Sequence, residues 1–183
     1  MCALIALLIA AAPSDTLESL LARGPLVSVE TDASGKFDAA VGFLDVAAPL
    51  QRVWAVLTGF GAYREFVPRV VKSEMQSFSG GARVKFEIES PGPNTKYVVQ
   101  YALDAKAHTA DGLQVTGDLK GSSWHCELFE LVPARTRVRY TSRARNFSSI
   151  LNALEDEQQT VTAGLNVGAA ITMLRALKKR CER

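Results

Sequence analysis

The sequence predicts an α+β domain in which a curved antiparallel sheet wraps around one long C-terminal helix. Three observations carry that expectation. From Phe147 to about Arg180 the chain keeps a sustained helical period without proline. Its apolar or small residues fall at Phe147, Ile150, Leu151, Leu154, Val161, Leu165, Gly168, Ile171, Leu174 and Leu177, and spacings of three and four put them on one face. Between Val70 and Arg145 most residues alternate with period two, the mark of half-buried strands. Two short helical segments separate that run from an early strand. A helix this long gains its stability from a packed apolar face, and the strands are the partner on offer.

Thr16 to Ala22 predicts a short helix with Leu17, Leu20 and Leu21 on one side, ended by Arg23-Gly24-Pro25. Leu26 to Glu30 reads as a brief strand. After a turn through Asp32, Ser34 and Gly35, Phe37 to Val46 reads as a strand with Phe37, Ala39, Val41 and Phe43 on one face. Pro49 suits the first position of a helix, Val53, Trp54, Val56 and Leu57 give it an apolar side, and Gly59 closes it. The aromatic stretch Phe60 to Val67 predicts a second helical turn, stopped before Pro68. Val70 to Phe78 is the next strand. Ala82, Val84, Phe86 and Ile88 alternate with Arg83, Lys85, Glu87 and Glu89, and Tyr97, Val99, Tyr101 and Leu103 with Lys96, Val98, Gln100 and Ala102. Ala110-Asp111-Gly112 reads as a turn into a strand showing Leu113, Val115 and Gly117. Trp124, Cys126 and Leu128 share a face, as do Val138, Tyr140, Ser142 and Ala144. In the long helix Glu155, Asp156 and Glu157 lie near the start, with Lys178, Lys179 and Arg180 near the end. That order suits the helix dipole.

At 183 residues, with 48% hydrophobic and 22% charged residues, the chain has room for one globular domain. The division expected is a leader over residues 1–24 and a domain over 25–183. A net charge of +2 gives no reason to expect a nucleic-acid partner. Cys2, Cys126 and Cys181 are far apart, with no CxxC pair, so neither a zinc site nor a disulfide framework is expected. Met1 to Ala12 is almost wholly apolar and too short to span a bilayer. It has the apolar run and small residues of a secretory signal, with no Lys or Arg before it; the other reading is a buried N-terminal helical turn. A signal implies an exported or periplasmic protein, and a folded segment a cytoplasmic one.

The order of elements resembles the helix-grip fold of the START and birch-pollen-allergen superfamily. Val46-Ala47-Ala48-Pro49-Leu50-Gln51-Arg52-Val53-Trp54-Ala55-Val56-Leu57-Thr58 is similar to that superfamily's step into a helix with a Val-Trp pair. Phe60-Gly61-Ala62-Tyr63-Arg64-Glu65-Phe66-Val67-Pro68 resembles the aromatic-proline connection of its polyketide cyclase/dehydrase and coenzyme Q-binding branch. The resemblance runs from about Phe37 to Arg180 and includes the Trp124 strand. It implies an apolar cavity between sheet and long helix that holds a hydrophobic small molecule. The ligand-binding residues it singles out here are Phe66, Phe86, Tyr97, Tyr101, Trp124, Tyr140 and Leu165. The tyrosine hydroxyls and Ser142 would supply the few polar groups such a site needs.

Catalytic machinery is harder to find. His125 lies between Trp124 and Cys126, so it points away from a face that Trp124 lines. His108 falls in a turn, and neither histidine has an evident carboxylate partner in the sequence. GxSxG, HExxH and glycine-rich phosphate loops are absent from the sequence. No catalytic residue, metal ligand or cofactor is therefore expected. Binding or transport of a lipid, quinone or polyketide-like compound is the leading expectation. An aromatic polyketide cyclase or dehydratase, and a membrane-associated interaction protein, are the alternatives. For the last of these, Arg137, Arg139 and Arg143 offer a basic strand face to an anionic membrane surface. The competing reading is a solvated face balanced by Glu87, Glu89 and Asp104.

Overall fold

The computed structural model describes residues 16–117, 120–144 and 155–183. Eight antiparallel strands form one sheet: β1 (Leu26–Thr31), β2 (Phe37–Val46), β3 (Val70–Phe78), β4 (Gly81–Ile88), β5 (Thr95–Asp104), β6 (Thr109–Gly117), β7 (Ser123–Val132) and β8 (Arg135–Arg143). Their spatial order is β1-β2-β8-β7-β6-β5-β4-β3, so only the β2–β8 neighbours are distant in sequence. Helices α1 (Leu17–Arg23), α2 (Leu50–Thr58) and α3 (Glu155–Cys181) complete the fold, with a 3-10 turn over Phe60–Glu65. This is the helix-grip arrangement. It differs from expectation in detail. The second short helix is a 3-10 turn, and Pro49 is the cap before α2 rather than its first residue. The stretch from Phe147 to Leu154, expected to open the long helix, lies outside the described residues.

Helix α3 packs across β2. Ala170 and Leu174 are fully buried there, and Gly42 makes the approach possible: a Cβ on it would sit 2.6 Å from Leu174 Cδ1. The face of β2 that meets α3 thus carries Ala40, Gly42, Leu44 and Val46. Phe37, Ala39, Val41 and Phe43 share the opposite face, as their alternation predicts. Leu21 of α1 is buried against that side of the protein, so β2 is covered on both faces and its pattern loses the alternation that would show which is inner. Helix α1 falls within the expected leader, yet it is capped by Thr16, which accepts a hydrogen bond from Ser19 N at 3.3 Å, and it contributes to the packing.

Polar contacts fix α3 along its length. Near its start the Gln159 side chain accepts from Phe37 N at 2.9 Å. In its first half Asn166, fully buried, binds the end of β8. At its end Lys178 donates to the Asp45 carbonyl at 2.8 Å, and Glu182 accepts from Ala47 N at 2.8 Å.

The apolar interior has two centres. One joins Leu44, Val46, Val53, Leu57, Leu128, Val138, Leu174 and Leu177 where α2 and the end of α3 meet the sheet. The other joins Phe60, Tyr63, Val70, Val84, Phe86 and Val99 under the 3-10 turn. Leu103 and Met173 pack against both.

Strand β6 corrects the sequence reading. Ala110, Gly112 and Gln114 face inward, whereas Leu113 is half exposed. The strand begins at Thr109, so Asp111 and Gly112 are not a turn. A bulge opposite Val98/Val99 leaves Val115 without a partner in the register, and one extra residue reverses the face of everything beyond it.

Candidate functional site

The space between sheet and helix is a cavity of about 480 Å³. Its floor is an aromatic chain. Tyr101 stacks on Phe60 with centroids 3.9 Å apart, Phe60 meets Tyr63 at 5.4 Å, Tyr63 meets Phe86 at 6.0 Å, Phe86 meets Tyr97 at 5.5 Å, and Tyr97 meets Trp124 at 6.4 Å. Tyr101 can lie inward because Gly112 on β6 has no side chain: a Cβ there would be 2.7 Å from the ring. Leu165, Ala169, Thr172 and Met173 of α3 form the roof, and Val67, Pro68, Arg69, Ile88, Glu89 and Pro91 the rim.

Of the seven residues expected to line the cavity, Phe86, Tyr97, Tyr101, Trp124, Tyr140 and Leu165 do so. Phe66 does not. It is the cap after the 3-10 turn, with φ −140°, so it leaves the three-residue phase that aligns Phe60 with Tyr63. Its ring packs beside Tyr63 and under the Arg180 guanidinium, 5.7 Å from the ring centroid, and lines a separate surface hollow with Arg52, Ala55 and Arg183. Phe60 and Tyr63 line the cavity although the sequence reading does not single them out. Their spacing of three in a short aromatic segment is the signal that could have found them.

Polar groups inside the cavity are few and neutral. Burial raises the phenols of Tyr63, Tyr101 and Tyr140 well above the ordinary range, and raises Tyr97 to about 12. Burial likewise pushes the Cys126 thiol up to about 12, which removes it as a thiolate nucleophile. Tyr63 donates to the Leu57 carbonyl at 2.6 Å. Among the described residues the hydroxyls of Tyr97, Tyr101 and Tyr140 have no comparable partner, so a ligand oxygen could accept from them. Ser142 donates to Asn166 Oδ1 at 2.6 Å, which leaves its oxygen as an acceptor toward the cavity. Arg69 and Glu89, the charged lining groups, stand at the rim.

The histidines lie elsewhere. His108 packs edge-on to Trp54 at 5.6 Å and approaches Gln51 Nε2 at 3.3 Å. His125 points outward, as expected, but register gives it a carboxylate that the sequence does not reveal: Nδ1 is 2.7 Å from Asp111 Oδ1 on the paired strand. Among the described residues no group of three His, Cys, Asp or Glu could hold a metal ion. Cys126 and Cys181 are separate, buried thiols.

The arginines of β8 are paired, though not with Glu87, Glu89 or Asp104. Strand β8 lies between β2 and β7, and its partners come from there. Arg135 and Arg137 both bind Asp45, at 2.5 and 2.8 Å. Arg139 faces Glu127 at 3.7 Å, and Arg143 lies between Asp38 at 3.2 Å and Glu30 at 3.9 Å. Burial works to raise the Asp45 pKa, but the hydrogen bonds from Arg137 and Arg135 outweigh it and hold the group below its ordinary 3.8. A carboxylate depressed in the folded state stabilises the fold above its unfolded pKa, and that contribution is lost as pH falls through the folded one. Asp45→Asn is therefore expected to cost about 2 kcal/mol at neutral pH. The difference from wild type should shrink as the pH falls below 3.8 in urea melts. A difference that stays constant with pH would show that the charge contributes nothing.

A search of curated proteins by sequence finds no match. Solved structures match well in shape. The Zhui aromatase/cyclase from Streptomyces sp. R1128 superposes with a TM-score of 0.70 at 21% identity, over 79% of this chain and 93% of that one. A protein from Thermus thermophilus gives 0.69 at 15% identity, over 78% and 95%. A START superfamily protein from Mycobacterium smegmatis gives 0.63 at 14% identity, over 79% and 97%. At these identities the likeness shows the fold alone. The sequence itself matches one family model over residues 36–182, described as polyketide cyclase/dehydrase and lipid transport. That match spans the sheet, the cavity and α3, and so the chain belongs to the polyketide cyclase/dehydrase and lipid transport family.

Proposed function

We propose that the protein binds and carries a hydrophobic small molecule, of lipid, quinone or polyketide-like character, without transforming it. The observation that carries this reading is the state of the cavity's interior. Its titratable side chains are tyrosines and a cysteine that burial keeps protonated, while general acid–base catalysis uses a group poised near the working pH. What remains is an apolar enclosure with neutral hydroxyls, the usual composition of a small-molecule site. Native mass spectrometry of protein purified gently from its own host, followed by solvent extraction, is expected to show a stoichiometric hydrophobic adduct. Protein that carries no adduct and takes up no fluorescent lipid would overturn the reading.

One observation favours a second reading, an aromatic polyketide cyclase or dehydratase. The neighbours in fold include aromatase/cyclases, among them Zhui and the di-domain StfQ. Here the three tyrosine hydroxyls, without a comparable partner among the described residues, would stabilise an enolate-like oxygen as it forms. Phe at Tyr97, Tyr101 and Tyr140 together should then lower kcat by about a hundredfold, measured on an aromatic polyketide substrate. Unchanged turnover would dismiss this role for the tyrosines. Membrane docking through Arg137, Arg139 and Arg143 has less support, since each arginine faces a carboxylate. It requires that charge reversal at Arg137 and Arg139 reduce liposome binding at low salt. If the apolar N-terminal segment acts as a signal the protein is exported or periplasmic, and otherwise it is cytoplasmic; fractionation of the host cell decides between the two.

A further inference from the structure

Gln114 stands out among the buried side chains. It is 1% exposed, and neither its amide nitrogen nor its amide oxygen has a hydrogen-bond partner among the described residues. Its backbone is fully used: Gln114 N donates to the Ser122 carbonyl at 2.9 Å, and Gly121 N donates to the Gln114 carbonyl at 3.0 Å. The strand is thus pinned and the side chain alone is unpaired. A buried amide in that condition destabilises the fold, and an apolar residue of the same shape would be tolerated better. Such a residue calls for an explanation beyond packing.

Its position supplies one. Gln114 pairs with Val99 on β5, and Val99 lines the cavity. Strand β6 runs between β5, which carries Tyr97, and β7, which carries Trp124. The two rings lean toward each other across β6, nearly parallel at 23° with centroids 6.4 Å apart. Gln114 stands on the inner face of β6, between those two strands, and is not among the residues that line the cavity. Both rings line the cavity, as does Val99, the register partner of Gln114.

We infer that Gln114 is the anchor of a deeper polar subsite behind the Tyr97–Trp124 pair, reading the head of a ligand whose body fills the apolar cavity. The tyrosines Tyr97, Tyr101 and Tyr140 offer neutral hydroxyls. Each of those hydroxyls donates and accepts through one oxygen, whereas Gln114 offers an acceptor and a donor on two adjacent atoms. The head it fits is therefore a neutral group with one donor next to one acceptor, as in a carboxamide or a protonated carboxyl. A purely hydrocarbon end would leave the amide unpaired. This inference rests on the carrier reading above.

The test uses the full chain and two probes of nearly the same shape, 2-naphthamide and 2-isopropenylnaphthalene, titrated by fluorescence. Wild type is expected to bind both. Gln114→Met, which keeps the length of the side chain, should weaken 2-naphthamide about tenfold and leave the hydrocarbon within about twofold, while its thermal midpoint rises by about 3 °C. Gln114→Leu, run in parallel, guards against a packing fault peculiar to methionine. Unchanged affinity for both probes in both variants would overturn the subsite and leave the carrier reading standing. Equal weakening of both probes would also overturn it, because it would mark Gln114 as structural support. Binding of neither probe by wild type would overturn the carrier reading, and this inference with it.

Discussion

Asn166→Leu is expected to lower folding stability by about 3 kcal/mol, and the thermal midpoint by roughly 6–12 °C in a chain of this size. The side chain is fully buried on α3. Its Oδ1 accepts from Ser142 Oγ at 2.6 Å and from Ala144 N at 2.8 Å, and its Nδ2 donates to the carbonyls of Ala144 at 3.1 Å and Thr162 at 2.9 Å. Leucine has a similar volume, so packing changes little. What changes is that a hydroxyl, an amide N–H and a carbonyl at the end of β8 lose their partner. Each buried group left so costs about 1–3 kcal/mol, offset in part by relaxation or entry of water. Thermal and urea melts of both proteins measure the difference. A loss below about 1 kcal/mol would mean that apolar burial, not this amide, joins the helix to the strand. The same contact bears on the site, because it commits the Ser142 hydroxyl proton to Asn166.

That clamp illustrates what a sequence conceals. The asparagine, the serine and the strand end are all visible in it, but the contact depends on a helix–strand register that no local pattern encodes. Periodicity carries the architecture further than it carries the site. It phases strand β8 correctly, since Val138, Tyr140, Ser142 and Ala144 alternate with charged or polar neighbours, and one face of the strand is wet. On strand β2 it groups Phe37, Ala39, Val41 and Phe43 but does not mark the inner face, because α1 and α3 cover both faces and erase the contrast. It fails on strand β6 at the bulge, where one unpaired residue, Val115, reverses the inferred face and hides Gln114. The arginine partners are illegible locally because β8 pairs with β2 across a crossover. That pairing brings Asp45 and Asp38 to arginines about a hundred residues away. Aromatic neighbours draw Phe66 into the expected site, and its backbone at the end of a 3-10 turn sends it elsewhere.

The cavity itself is best tested by filling it. Ala169→Trp is expected to weaken binding of a hydrophobic ligand about a hundredfold while leaving the fold intact. Ala169 lines the cavity from α3, yet the residue is exposed. The helix has room on that side: Gly164 and Gly168 have open space where a Cβ would stand. A tryptophan can therefore enter the cavity mouth without displacing buried neighbours, in contrast to a large residue at Ala170 one position on, which is fully buried against β2. An indole presents about 150–250 Å². If it displaces even about 100 Å² of ligand contact, the loss is about 2.5 kcal/mol, close to two orders of magnitude in affinity. The paired measurement decides the matter. Titration of 2-isopropenylnaphthalene gives the affinity, and a urea melt gives the stability. Weak binding with an unchanged midpoint places the ligand under α3. Unchanged binding would place it elsewhere, with the surface hollow beside Phe66 and Arg180 as the next position to probe. Weak binding with a lowered midpoint would show that α3 must lie flat on the sheet for the fold to hold, and an alanine-to-valine step at the same position would then separate the two effects.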